Sequence, residues 1–159
     1  MAIIDSLTEF CDAVSVAKTS GASYLLGNQI DLQTARNYGG GQPLYLIITV
    51  DTAIVTGGAA GTISFSLCSD ASAAVAVDGS QTTHLTTQLF VTDDTPTIPA
   101  GSVLFCGAIP DGLYGDNDYE RYVGLICTVA TTTTAGKINA WLSPDPIGGW
   151  LTPMPKAVD

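Results

Sequence analysis

The sequence predicts an all-β fold, an antiparallel β-sandwich of jelly-roll type with an extended N-terminal arm and an extended C-terminal tail. Three observations carry that expectation. Short runs of β-forming residues recur from Leu44 onward, clusters of Gly, Pro and Asp separate them, and from Leu44 no stretch shows a convincing amphipathic helix. At 159 residues the chain fits a single domain with enough core to fold without disulfides or metal. That domain divides into an arm and first strand over 1–31, the sandwich over 32–143 and the extended tail over 144–159.

In chain order, SLTEFCDAVSVA suits either a short helix or an extended arm, and the Ser, Gly and Ala that follow favour the arm. Gly39, Gly40 and Gly41 make a turn that leads through Gln42 and Pro43 into the dense β-former run LYLIITV, 44–50. TISFSL, 62–67, alternates strictly: Ile63, Phe65 and Leu67 share one face and Ser64 and Ser66 the other, so one face is buried and the other open. Further strands are expected at AAVAV (73–77), HLTTQLFV (84–91), VLFCGAI (103–109), RYVGLICTV (121–129) and KINAWLS (137–143). The spacers VDGS, DDTPTIPAG and PDGLYGDND are turn-forming, and Thr131–Thr134 with Ala135 and Gly136 reads as a hairpin loop. The tail SPDPIGGWLTPMPKAVD is Pro-rich and carries Trp150, more of an anchor than a linker needs.

Composition narrows the function classes. Only 13% of residues are charged, against about a quarter in ordinary domains, and mean hydropathy is +0.32. The surface must therefore consist largely of Thr, Ser, Gly and apolar side chains, which is what a subunit keeps for neighbours. The five basic residues (Lys18, Arg36, Arg121, Lys137 and Lys156) are scattered among fifteen acids, giving a net charge of −10. Such a field repels phosphate backbones and anionic lipid, so neither nucleic acid nor membrane is an expected partner. The start carries Asp5 and no basic leader, so no secretory signal is expected, and no run approaches the roughly 18 apolar residues of a membrane span.

Reactive constellations are sparse. Cys11, Cys68, Cys106 and Cys127 are spaced for neither zinc nor a compact disulfide framework and read as free thiols on or under strands, made in a reducing cytoplasm. His84 is the single histidine and reads as a packing residue. No nucleophile elbow, Walker loop or zinc-protease helix motif occurs, and the Gly39–Gly41 run lacks the Lys and helix that a phosphate cradle needs. Asp111, Asp116, Asn117, Asp118 and Glu120 supply oxygen ligands but not in EF-hand order, so a solvated acidic turn is expected. Neither cofactor, metal nor enzymatic activity is expected. Arg121 is expected to form an ion pair or an intersubunit contact. The apolar residues at the two ends have no strand period, so the candidate interface comprises Ile3, Phe10, Arg36, Arg121, Trp150, Leu151 and Met154.

Two segments carry a family resemblance. NQIDLQTARNYGGGQPLYLIITVDTA (28–53) supplies Asn28, Ile30, Asp31, Leu32, Arg36, Gly41 and the Pro43–Leu46 run; ERYVGLICTVATTTTAGKINAWLSPDP (120–146) supplies Glu120, Arg121, Tyr122, the Ala135–Lys137 turn, Pro144 and Asp145. In these the chain resembles the cement, or decoration, proteins of short-tailed double-stranded DNA phages of the Bordetella phage type. The resemblance covers about a third of the chain and implies a jelly-roll structural protein on the virion exterior, made in the host cytoplasm, that clamps neighbouring major capsid proteins. It weakens in the middle, at TDDTPTIPAG and the acidic loop. The chain is expected to pair with itself, as a dimer with a trimer as the alternative, because two-fold staples suit capsid axes. A carbohydrate-binding sandwich, using Trp141, Trp150 and the tyrosines to stack on sugar rings, is the rival reading.

Overall fold

The computed structural model describes residues 6–19, 21–37, 41–57, 60–93, 98–111 and 118–145. The described residues form nine β-strands and no helix: β1 Glu9–Ser15, β2 Ala22–Asp31, β3 Tyr45–Thr56, β4 Gly61–Asp70, β5 Thr82–Thr86, β6 Phe90–Thr92, β7 Val103–Ala108, β8 Tyr122–Val129 and β9 Thr133–Ser143. Sheet I runs β1-β9-β3-β7; sheet II runs β2-β8-β4-β5, with β6 also pairing β4. All pairings are antiparallel, and the first four strands alternate between sheets. The result is a two-sheet sandwich whose order is consistent with a jelly roll.

The pleat explains the core. Leu46, Ile48 and Val50 of β3 and Ile138, Ala140 and Leu142 of β9 face inward from sheet I; Ile63, Phe65 and Leu67 of β4 and Val123, Leu125, Cys127 and Val129 of β8 meet them from sheet II. Each is a period-2 neighbour of the next, so one register places all of them between the sheets. Full burial of each large side chain contributes about 1.5–3 kcal/mol.

Four expectations are corrected. The stretch 1–31, expected as an arm with a first strand, holds two strands, β1 and β2, one in each sheet. Its strand pattern is hidden because β1 shifts register between Glu9, Cys11 and Val14, with Ala13 at φ 48°, and β2 shifts between Leu25 and Gln29, with Gly27 at φ 68°. Each irregularity resets the inward phase.

AAVAV is not a strand either. It lies in a loop folded over the outer face of sheet II, where Val75 packs with Cys68 and Ile126 beside Leu25 and Tyr122. The Asp70 carboxylate holds that loop by accepting from Ser72 N, Ala76 N and Ser80 Oγ, while Val75 N donates to Gln29 Oε1. Gly124 beneath it makes room: a Cβ there would lie 2.6 Å from Leu25 Cδ1 and 3.1 Å from Val75.

The expected hairpin loop at 131–136 is largely strand, because the β-branched Thr133 and Thr134 extend β9, and the turn is confined to the residues before it. Finally, 84–91 is two short strands rather than one. Thr87 breaks them, its Oγ1 accepting from Phe65 N in place of a strand neighbour.

Candidate interaction surface

The two sides of the sandwich differ. On one, β1 and β2 close the gap between the sheets. A Cβ at Gly27 would overlap the Phe10 carbonyl oxygen and lie 2.7 Å from Cys11 Cβ, so only glycine permits this approach. Phe10 is completely buried here, in the protein's own core, which removes it from the expected interface. Its apolar ring was read as needing a neighbour's cover because the bulges in β1 concealed which way it points.

The opposite side is bounded by β7 in sheet I and by β5 and β6 in sheet II. Here Leu89 is 66% exposed, Val91 62% and Val103 36%. Residues 79–92 and 95–110, which contain these strands, have no Asp, Glu, Lys or Arg in a chain of net charge −10. Next to them the outer face of sheet II is lined with hydroxyls, including the cross-strand pairs Ser23–Thr128 at 2.9 Å and Ser66–Thr86 at 3.0 Å. This is a neutral surface that a partner can desolvate without stripping water from an ion. Sequence reasoning missed Leu89 and Val91. The signal was present in Leu89-Phe90-Val91, because three consecutive apolar residues cannot all face inward in a half-buried strand.

At one end of the sandwich, polar contacts join four segments. Arg121 Nε and Nη2 donate to the two Asp31 carboxylate oxygens at 2.9 Å each, and the guanidinium lies 4.9 Å from the Tyr122 ring centre. The pair holds the Asp31 carboxyl below its usual range. Arg121 is thus engaged within its own chain, the ion-pair alternative of the two expected. Arg36 is exposed and donates from Nη2 to the Leu32 carbonyl at 2.6 Å. Its backbone pairs with Tyr119, which brings Arg36 and Arg121 to neighbouring turns. Ile3, Trp150, Leu151 and Met154 lie outside the described residues, as do Asp116 and Asn117 of the acidic turn.

His84 is more embedded than expected. Its ring stacks on buried Tyr119 at 3.9 Å, and Nε2 lies 2.7 Å from Ser69 Oγ. Ser69 Oγ also accepts from Glu120 N, and burial lowers the His84 pKa. Although a serine and histidine at this distance resemble a catalytic pair, Ser69 is fully buried, leaving a substrate no approach to Oγ in this conformation. The arrangement is a clasp between β4, β5 and the segment entering β8.

The four cysteines are free. Cys11, Cys68 and Cys127 are buried and Cys106 is exposed. Burial pushes Cys11 up to about 12 and Cys127 up to about 11, so both stay thiols. An open groove of 350 Å³ lined by Ala17, Lys18, Thr19 and Thr132–Thr134 lies at the closed side, with Lys18 Nζ 4.3 Å above the Tyr24 ring. Among the described residues no three His, Cys, Asp or Glu side chains are grouped to hold a metal.

A family model described as Bbp16, a name taken from a Bordetella phage protein, matches residues 10–142. That span takes in every described strand but the first residue of β1 and the last of β9. No curated protein matches the chain.

Proposed function

The chain belongs to the Bbp16 family, and from that premise we propose that it is a structural protein of a phage particle, a cement or decoration subunit on the outside of the icosahedral head that bridges neighbouring major capsid proteins. The observation that carries this reading is the open side: exposed Leu89, Val91 and Val103 in two charge-free runs of an otherwise acidic chain. A net charge of −10 disfavours contact with packaged DNA and suits the exterior. Cementing needs only a rigid shape and an interface. The contact is repeated over many copies, so a modest free energy at each raises the barrier to shell rupture. Self-association as a dimer belongs to the same reading, since a two-fold pair presents the neutral side twice.

The sugar-binding rival loses one of its two tryptophans, because Trp141 is 8% exposed and offers no open ring face.

Quantitative mass spectrometry of gradient-purified virions tests the proposal. The protein should be present at a fixed ratio to the major capsid protein and should be digested by protease added to intact particles. Absence from purified particles, or protection equal to that of internal proteins, contradicts it.

A further inference from the structure

Strand β7 is the outermost strand of sheet I, and the direction of its backbone groups can be read from its neighbour. Ile109 N donates to the Leu44 carbonyl, and Gly107 and Phe105 stand opposite Leu46 and Ile48. Those alternate residues turn their N–H and C=O toward β3, so Cys106 and Ala108 turn theirs outward, along an edge where no described strand pairs them. The other edges are blunted. β1 shifts register twice, β2 shifts around Gly27 where it lies against β1, β5 shifts opposite Leu67 and Cys68, and β6 has only three residues. β7 keeps its register from Phe105 to Ala108 and holds neither proline nor charge, which makes it a template for a further strand.

Charge and symmetry select the occupant. At a net charge of −10, two copies repel wherever their acids face one another, but residues 95–110 carry no charge at all. The exposed pattern is also self-complementary. Cys106 and Ala108 lie one on each side of Gly107, and the run is bounded by the register shift before Phe105 and by Pro110, which has no N–H. A two-fold axis at Gly107 sets Cys106 of each copy opposite Ala108 of the other, so every outward N–H and C=O of the run finds a partner. Glycine suits the axis, where directly opposed residues approach to about 4.5 Å, because it has no side chain to obstruct them. A Cβ at Gly107 would lie 2.7 Å from Phe105 Cζ, so the Phe105 ring lies over it. The half-buried rings of the two copies then meet across the axis.

We propose that two copies of this chain join edge to edge through β7, antiparallel about a two-fold axis at Gly107, so that their two sheets I become one continuous sheet. The inference specifies the self-association proposed above and rests on that part of the reading; it does not depend on the capsid role. Leu89 and Val91 belong to the edge of sheet II and take no part in the joint.

Sedimentation velocity and a mixed cross-link test the pairing on the full chain. Wild-type protein should sediment as a dimer, and Ala108→Pro, which removes an outward donor, should weaken that dimer about tenfold or more while the circular dichroism spectrum is unchanged. The cross-link uses Cys106, the exposed one of the four thiols. Cys106 and a thiol at 108 of the other copy lie about 5.5 Å apart at Cα, within disulfide range. Cys106 to Cys106, and 108 to 108, are diagonal neighbours at about 7–8 Å, beyond it. Wild type co-expressed with the Cys106→Ser, Ala108→Cys variant should therefore give a disulfide-linked dimer on mild oxidation with copper phenanthroline, and neither protein alone should. Monomeric wild type would overturn the self-association together with the pairing. A dimer that Ala108→Pro leaves as tight, or a mixture that cross-links no more than either protein alone, would overturn the pairing and leave the self-association standing.

Discussion

The side of the sandwich where β1 meets β2 and the side bounded by β7, β5 and β6 are made from the same two sheets, yet they are finished differently. On the first, a glycine at φ 68° lets two backbones touch and Phe10 is sealed beneath them. On the second, the edge strands are short, six, five and three residues, and Leu89 and Val91 stand in solvent. The first side spends its apolar residues on folding and the second keeps them exposed. Substitutions should therefore separate stability from assembly according to the side they fall on.

The largest expected effect is on the closed side. Phe10→Ala should lower unfolding free energy by about 3–5 kcal/mol, measured by urea denaturation, because a fully buried ring is replaced by a cavity. Gly27→Ala should follow at about 2–3 kcal/mol, from the positive φ and the overlap with Phe10 and Cys11. A loss under about 0.5 kcal/mol in either would mean that the two sides are not differently built.

A third prediction concerns the clasp at the end of the sandwich. Burial depresses the His84 pKa below 6.5, so the unfolded chain binds more protons than the folded one between the two values. Stability should be complete above about pH 6.5 and decline as pH falls through that window, with a further loss below about 3.8 as Asp31, Asp70 and Asp78 lose their hydrogen-bonded charge. His84→Gln should flatten the upper step and leave the lower one, and urea titrations at a series of pH values read both. An upper step that survives in the variant would assign it to another group.

How much of this was legible in the sequence depended on phase. Where alternation runs unbroken, Ile63, Phe65 and Leu67 face the core as the sequence predicts, although Ser64, expected on an open face, is also buried. Phase fails at bulges, which is why 1–31 reads as an arm with one strand instead of two strands, and Phe10 as an interface residue. It fails again where burial comes from a loop rather than the opposite sheet. Val75 is apolar because it covers Gly124, and nothing local distinguishes that from a strand position. The candidate surface was half legible, since charge scarcity announced a neutral face but only the edge positions of β6 and β7 located it.

The smallest expected effect on stability accompanies the largest on assembly. Leu89→Ser with Val91→Ser should change unfolding free energy by no more than about 0.5 kcal/mol each, since both side chains are already in water.

Co-sedimentation of the purified protein with phage heads stripped of it tests the central claim most directly. Wild-type protein should bind saturably, and the Leu89→Ser, Val91→Ser double variant should bind at least about tenfold more weakly while melting at the wild-type temperature. Heads that bind neither protein, or that bind both equally, would contradict the account.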